Sequence, residues 1–166
     1  MRFLAALAVL AIVAMPSAAG VEVDYEIGVD FDGYETYAWQ PGEEAGNPEV
    51  QRWILKAVER ELASAGLKKV DPGNADLIVI TQAGSTMDAS ASGGYVRVDQ
   101  YDVGVLTQGV VVETRGYLAV DLIDARTERG VWRGLASEVM GLPSLDKLKK
   151  KVDKVTRKMF KNFPPR

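Results

Sequence analysis

Two stretches of this 166-residue chain repeat their apolar residues every three or four positions, and its remaining apolar residues follow a different rhythm. The first is "NPEVQRWILKAVERELASAG". There Val50, Trp53, Ile54, Ala57, Val58, Leu62 and Ala65 fall on one helical face, Asn47 and Pro48 suit the start, and Gly66 suits a left-handed stop. The second is the closing "PSLDKLKKKVDKVTRKMFKNFPPR", where Leu145, Leu148, Val152, Val155, Met159 and Phe163 form a stripe behind a capping Ser144. Elsewhere the pattern is that of strands. "VEVDYEIGVDF" alternates from Val21 to Phe31, Glu35 to Trp39 reads as a second short strand, and "LIVITQAG" is a buried β-branched run. Val110 to Val139 reads as two antiparallel strands joined by a hairpin over Asp124 to Gly130. Ser85 to Gly94, made of Ser, Ala and Gly with little to pack, reads as a mobile loop, and "YVRVDQYDV" as a strand arm at its far end.

The order is therefore β-β-α-β-loop-β-β-α. Strands follow one another without a helix between each pair, which argues against a purely parallel sheet. The expectation is an α+β domain: a largely antiparallel sheet of four to six strands with two helices on one face.

Residues 1–19 stand apart from that domain. Arg2 precedes thirteen apolar residues, Phe3 to Met15, followed by "PSAAG". A positive end, an apolar stretch and a small-x-small site at Ser17 and Ala19 read as a secretory signal peptide cut after Ala19. Thirteen residues fall short of the roughly 20 that span a bilayer. No later stretch is long enough to span one, so the mature chain, a single domain over 20–166, is expected to be soluble and periplasmic.

The chain has no cysteine and no histidine. Disulfides, thiol chemistry and a cysteine-linked lipid are excluded. So are a Ser-His-Asp triad and a histidine-built zinc site. A domain of this length can be held by its core alone, and the reading calls for no cofactor and no metal.

Charge is distributed unevenly. The formal net charge is −3, or −4 once Arg2 leaves with the signal. Lys147, Lys149, Lys150, Lys151, Lys154, Arg157, Lys158 and Lys161 are offset by Asp153 alone, so residues 147–161 carry +7 and the rest of the mature chain −11.

The same segments resemble a bacterial envelope family known as domain of unknown function 4136. The likeness rests on "DYEIGVDFDGYETYAW", on "NPEVQRWILKAVERELASAGL" with "ADLIVI", on "GYLAVDLIDARTERGVWRG" and on the closing "FKNFPP". It spans nearly all of the mature chain except Ser85 to Gln108. The resemblance implies a lipoprotein-like or secreted envelope protein, with no established reaction and no catalytic residues to carry over. Where many members hold a lipobox cysteine this chain has Ala19-Gly20, which implies a protein without a lipid tether.

Four features invite a functional reading. Asp30, Asp32 and Gly33 are a fragment of a calcium loop, but Tyr34 follows and no distal Glu stands at the required spacing, so a turn that packs Tyr34, Tyr37 and Trp39 is the better reading. "SLDK" (Ser144–Lys147) matches the Ser-x-x-Lys of penicillin-recognising enzymes without its companion motifs, and Ser144 has a cap to make. The basic residues of 147–161 can meet an anionic envelope surface or a partner protein of the envelope. The loop, with Ser85, Ser90, Ser92, Tyr95 and Tyr101, can close over a ligand. An exported acidic chain is a poor nucleic-acid binder. The function expected is a non-enzymatic envelope binding or interaction module, with a hydrolase using paired Asp/Glu and a structural or stress-related envelope factor as alternatives.

Overall fold

The computed structural model describes the backbone over residues 20–98, 103–140 and 143–165, and side chains over 20–86, 113–139 and 143–165. The expected signal segment 1–19 and Tyr101 lie outside the described residues. The elements in chain order are β1 (Gly20–Tyr25), β2 (Thr36–Trp39), α1 (Pro48–Ser64), β3 (Lys68–Lys69), β4 (Leu77–Val98), β5 (Val103–Asp124), β6 (Arg129–Met140) and α2 (Leu145–Met159). One six-stranded sheet has the order β1-β6-β5-β4-β2-β3. Strands β1, β6, β5 and β4 pair antiparallel, whereas β2 pairs parallel with both β3 and β4. Parallel neighbours need a long crossover, and α1 is the crossover between β2 and β3.

The sheet presents one face to both helices. Register sets Ala83, Leu118 and Ala136 side by side across three strands, with Thr81, Val120 and Gly134 in the next row and Val79, Leu122 and Trp132 beyond. Val50, Ile54, Ala57, Val58 and Leu62 of α1 and Val152, Thr156 and Met159 of α2 are buried against this face. Trp132, Phe160, Phe163 and Phe31 close the far end with edge-on and tilted ring contacts at 4.7–6.0 Å.

Helix α1 begins and ends as its sequence dictates. The Asn47 Oδ1 accepts from the backbone N–H of Glu49 at 2.8 Å and of Val50 at 3.3 Å. Gly66 takes φ +92°, the Gly66 N–H donates to Ala63 O and the Leu67 N–H to Leu62 O. That is a Schellman stop, sealed by buried Leu67.

Several expectations need correction. The strand expected to run from Val21 to Phe31 ends at Tyr25, because Gly28 at φ +88° turns the chain and Phe31 reaches the core from a 3-10 turn, Phe31–Gly33. The mobile loop expected over Ser85 to Gly94 is instead strand, fully inside β4. Ser85, Ser90, Ser92 and Tyr95 stand opposite Gly116, Val111, Gly109 and Leu106 of β5. The β-branched run of β5 offers a backbone ladder that a small-residue strand adopts despite its own weak propensity. Ser144 precedes α2 but makes no side-chain cap hydrogen bond. Leu145 is 47% exposed, so the α2 stripe starts at Leu148. Phe163 packs on the core from beyond the helix end, not from α2 itself.

Candidate functional site

The stretch "VDFDGYETYAW" builds fold rather than a ligand site. Phe31 and Tyr37 are buried, the Trp39 Nε1–H donates to Glu59 at 3.1 Å, and the Tyr34 hydroxyl donates to Asp124 at 2.8 Å. Burial first, and the Asp124 contact second, push the Tyr34 phenol up to about 12. Asp124 is a turn residue: its Oδ1 accepts from the Arg126 and Thr127 N–H groups at 2.9 and 2.7 Å. The Thr127 N–H bond leads the interactions that hold this carboxyl below its ordinary value, against the opposing effect of burial.

Tyr34, Asp124, Arg126 and Thr127 rim a polar depression of about 580 Å³ with Glu26, Asp76 and Arg129. Of its carboxylates, Glu26, Asp76 and Asp124 already have structural partners. Asp76 accepts from the Thr36 hydroxyl at 2.6 Å and from the N–H groups of Thr36 and Glu35, with the Thr36 hydroxyl chief among the bonds that lower its pKa. Glu26 pairs with Arg129. Asp121, on the sheet face away from the helices, is raised by burial, with Arg133 at 3.4 Å pulling the other way. No group of three or more acidic residues arranged to hold a metal occurs among the described residues.

At the opposite end of the sheet lies an apolar cleft of about 330 Å³. Its floor is Ala83, Gly116, Leu118 and Ala136, small or apolar residues on the helix-side rows that leave space between the sheet and the helices, with Gly84 beside them in the strand. Val50 and Ile54 of α1 wall one side, and Leu148, Val152 and Val155 of α2 wall the other. Both helices begin here, since Asn47 and the first turn of α2 reach the lining. The rim is polar. Lys151 Nζ donates to Glu138 Oε1 at 2.9 Å, and the Tyr117 hydroxyl, its pKa raised chiefly by this bond, donates to Glu43 at 2.8 Å. The Tyr117 ring lies over Gly84, where a Cβ would come within 2.6 Å of its hydroxyl.

Among the residues expected to bind, Lys147, Lys149, Lys150, Lys154, Arg157, Lys158 and Lys161 are exposed, and Lys151 is half-buried at the cleft rim. Lys149 Nζ sits 6.0 Å from the Trp53 ring centre, and Asp153 pairs with Arg60 of α1 at 3.0 Å. Among the described residues, the cleft unites Ser85 with Lys151 from the two expected groups. Sequence reasoning missed Ala83, Leu118 and Ala136, whose common signal is small or apolar residues on one strand face; their adjacency depends on register.

A mostly antiparallel six-stranded sheet covered on one face by two helices defines a small α+β domain. The chain belongs to the DUF4136 family: the family model "Domain of unknown function (DUF4136)" matches residues 21–165. A DUF4136 family protein of Bacteroides thetaiotaomicron has a similar fold, at 13% identity and TM-score 0.57, over 88% of this chain and 96% of that one. A PDZ domain protein of Parabacteroides distasonis matches at 19% identity and TM-score 0.60, over 89% of this chain. This chain spans only 36% of that protein's length. The PelC dodecamer of Paraburkholderia phytofirmans matches at 12% identity and TM-score 0.51, over 86% and 94%. No curated protein matches the chain. Among the described residues no helix is long and apolar enough to cross a membrane.

Proposed function

We propose that the chain is an exported, non-enzymatic binding module of the bacterial envelope that docks on an anionic surface through the outer face of α2. One observation carries this reading: α2 turns Val152, Thr156 and Met159 to the sheet and leaves Lys150, Lys154, Arg157 and Lys158 exposed on its other side. A basic face fixed by a buried apolar stripe has a constant orientation, so its charges act together. Each Lys or Arg held near an anionic membrane contributes about 1 kcal/mol, weakening as salt screens it. The −11 remainder of the chain would repel the same surface, which makes the orientation selective.

Support for export comes from residues 1–19, a leader by composition, and from the envelope character of the family resemblance. Asp76 and Asp124 of the polar depression hold a strand start and a turn, which favours binding over hydrolysis.

The test is flotation of the 20–166 protein with phosphatidylglycerol-containing and pure phosphatidylcholine vesicles. Retention by the anionic vesicles alone, lost in the Lys150→Gln/Lys154→Gln/Arg157→Gln/Lys158→Gln variant, is the expected result. Equal retention of variant and parent would remove the reading.

A further inference from the structure

The basic face of α2 does not account for the cleft. Its lining comes from two helices and three strands, and aliphatic side chains of both helices wall a cleft that stays open to the surface on one side. At about 330 Å³ it falls at the small end of the range for ligand sites, roughly 300–1,000 Å³. Apolar walls with a few polar groups at one end are the usual make-up of such sites. Here the walls include Ile54, Leu118, Leu148 and Val152, and the polar groups sit at the rim: Lys151, Glu138, Tyr117 and Ser85.

We infer that this cleft is a ligand site for a single-chain anionic amphiphile, with one alkyl chain along Leu118 and Ala136 and the anionic head at Lys151. Three observations select that chemistry. The volume suits one alkyl chain and is too small for a diacyl lipid. The lining offers methyl and methylene groups without a ring of donors, so it selects for hydrocarbon and against sugars or nucleotides. The cation at the rim is held by Glu138 in a half-exposed pair, 35% and 48% accessible, of the kind worth about 0–1 kcal/mol. An incoming carboxylate or phosphate can therefore take Lys151 from Glu138 at little cost. Lys147 stands one helical turn before Lys151, and α1 and α2 both point their N-terminal ends toward this rim, which favours negative charge there. Fatty acids and lysophospholipids share this chemistry, and the experiment separates them.

The site is independent of vesicle docking, because its walls face inward while the docking residues face outward. The probes are laurate and lysophosphatidylglycerol below their critical micelle concentrations, with dodecyl maltoside as the uncharged control, titrated calorimetrically into the 20–166 protein. The expected result is one-to-one binding of laurate, lysophosphatidylglycerol or both, with dodecyl maltoside at least tenfold weaker. Binding of laurate alone assigns a fatty acid, and binding of lysophosphatidylglycerol alone a lysolipid. Ala136→Leu fills the floor and should weaken binding at least tenfold while leaving vesicle flotation unchanged; Ala83→Leu does the same from the neighbouring strand should the first variant fold poorly. Lys151→Gln should cut laurate affinity several-fold and leave dodecyl maltoside unaffected. No binding by either anionic probe, parental affinity in a folded cleft-filling variant, or equal affinity for dodecyl maltoside and laurate would each overturn the assignment.

Discussion

Asp124 ties the turn after β5 to the segment before β2. It sits at the end of β5, accepts two turn N–H groups and the Tyr34 hydroxyl, and is only 7% exposed. Replacing it with Ala strands those donors, and the expected loss is about 2–3 kcal/mol in urea unfolding. Its depressed pKa, and that of Asp76, fix the sign of the pH dependence. A carboxyl held below its ordinary value of 3.8 stabilises the fold fully above that value and loses this contribution as pH falls through its folded pKa. Unfolding free energy should therefore fall below about pH 4, and Asp76→Asn should flatten that acid limb; an unchanged slope in the variant would count against the assigned role. In the same turn Glu128 takes φ 56°, left-handed backbone that suits glycine. Glu128→Gly should raise stability by up to about 1 kcal/mol, read as a higher melting temperature. The sequence marked Asp124 to Gly130 as a turn, but not which aspartate would organise it, because that depends on Tyr34 arriving from 90 residues away.

Elements differ in how much of them the sequence revealed. Helix α1 was legible in full, since its cap, its apolar face and its glycine stop are all local signals. Asn47→Ala should cost about 1 kcal/mol, seen as a lower urea midpoint with an unchanged slope. The second half of β4 was not legible. Ser85 to Gly94 has the composition of a loop, and only pairing with Thr107 to Gly116 makes it a strand. A long-range partner overrode local propensity there. Gly84 shows the same dependence. It closes the run read as a strand, yet nothing local shows that it must stay small under the Tyr117 ring. Gly84→Ala should destabilise by about 1–3 kcal/mol through overpacking, and combining it with Tyr117→Ala should recover part of that loss in a double-mutant cycle.

The whole molecule separates two surfaces on either side of α2. Its outward face is cationic, and its inward face helps wall an apolar cleft. The cationic face could be read from the sequence, because charge and helical period are both local. The cleft could not, since it exists only where register places Ala83 and Ala136 on either side of Leu118 beneath the starts of two helices. Under the proposed function, α2 meets an anionic surface by charge held in a fixed orientation. The most direct measurement is the affinity of the 20–166 protein for phosphatidylglycerol vesicles as a function of sodium chloride. Affinity should fall steeply with salt, with a shallower slope for the variant lacking the charges of Lys150, Lys154, Arg157 and Lys158. Affinity that ignores salt, or an identical slope in parent and variant, would contradict that function.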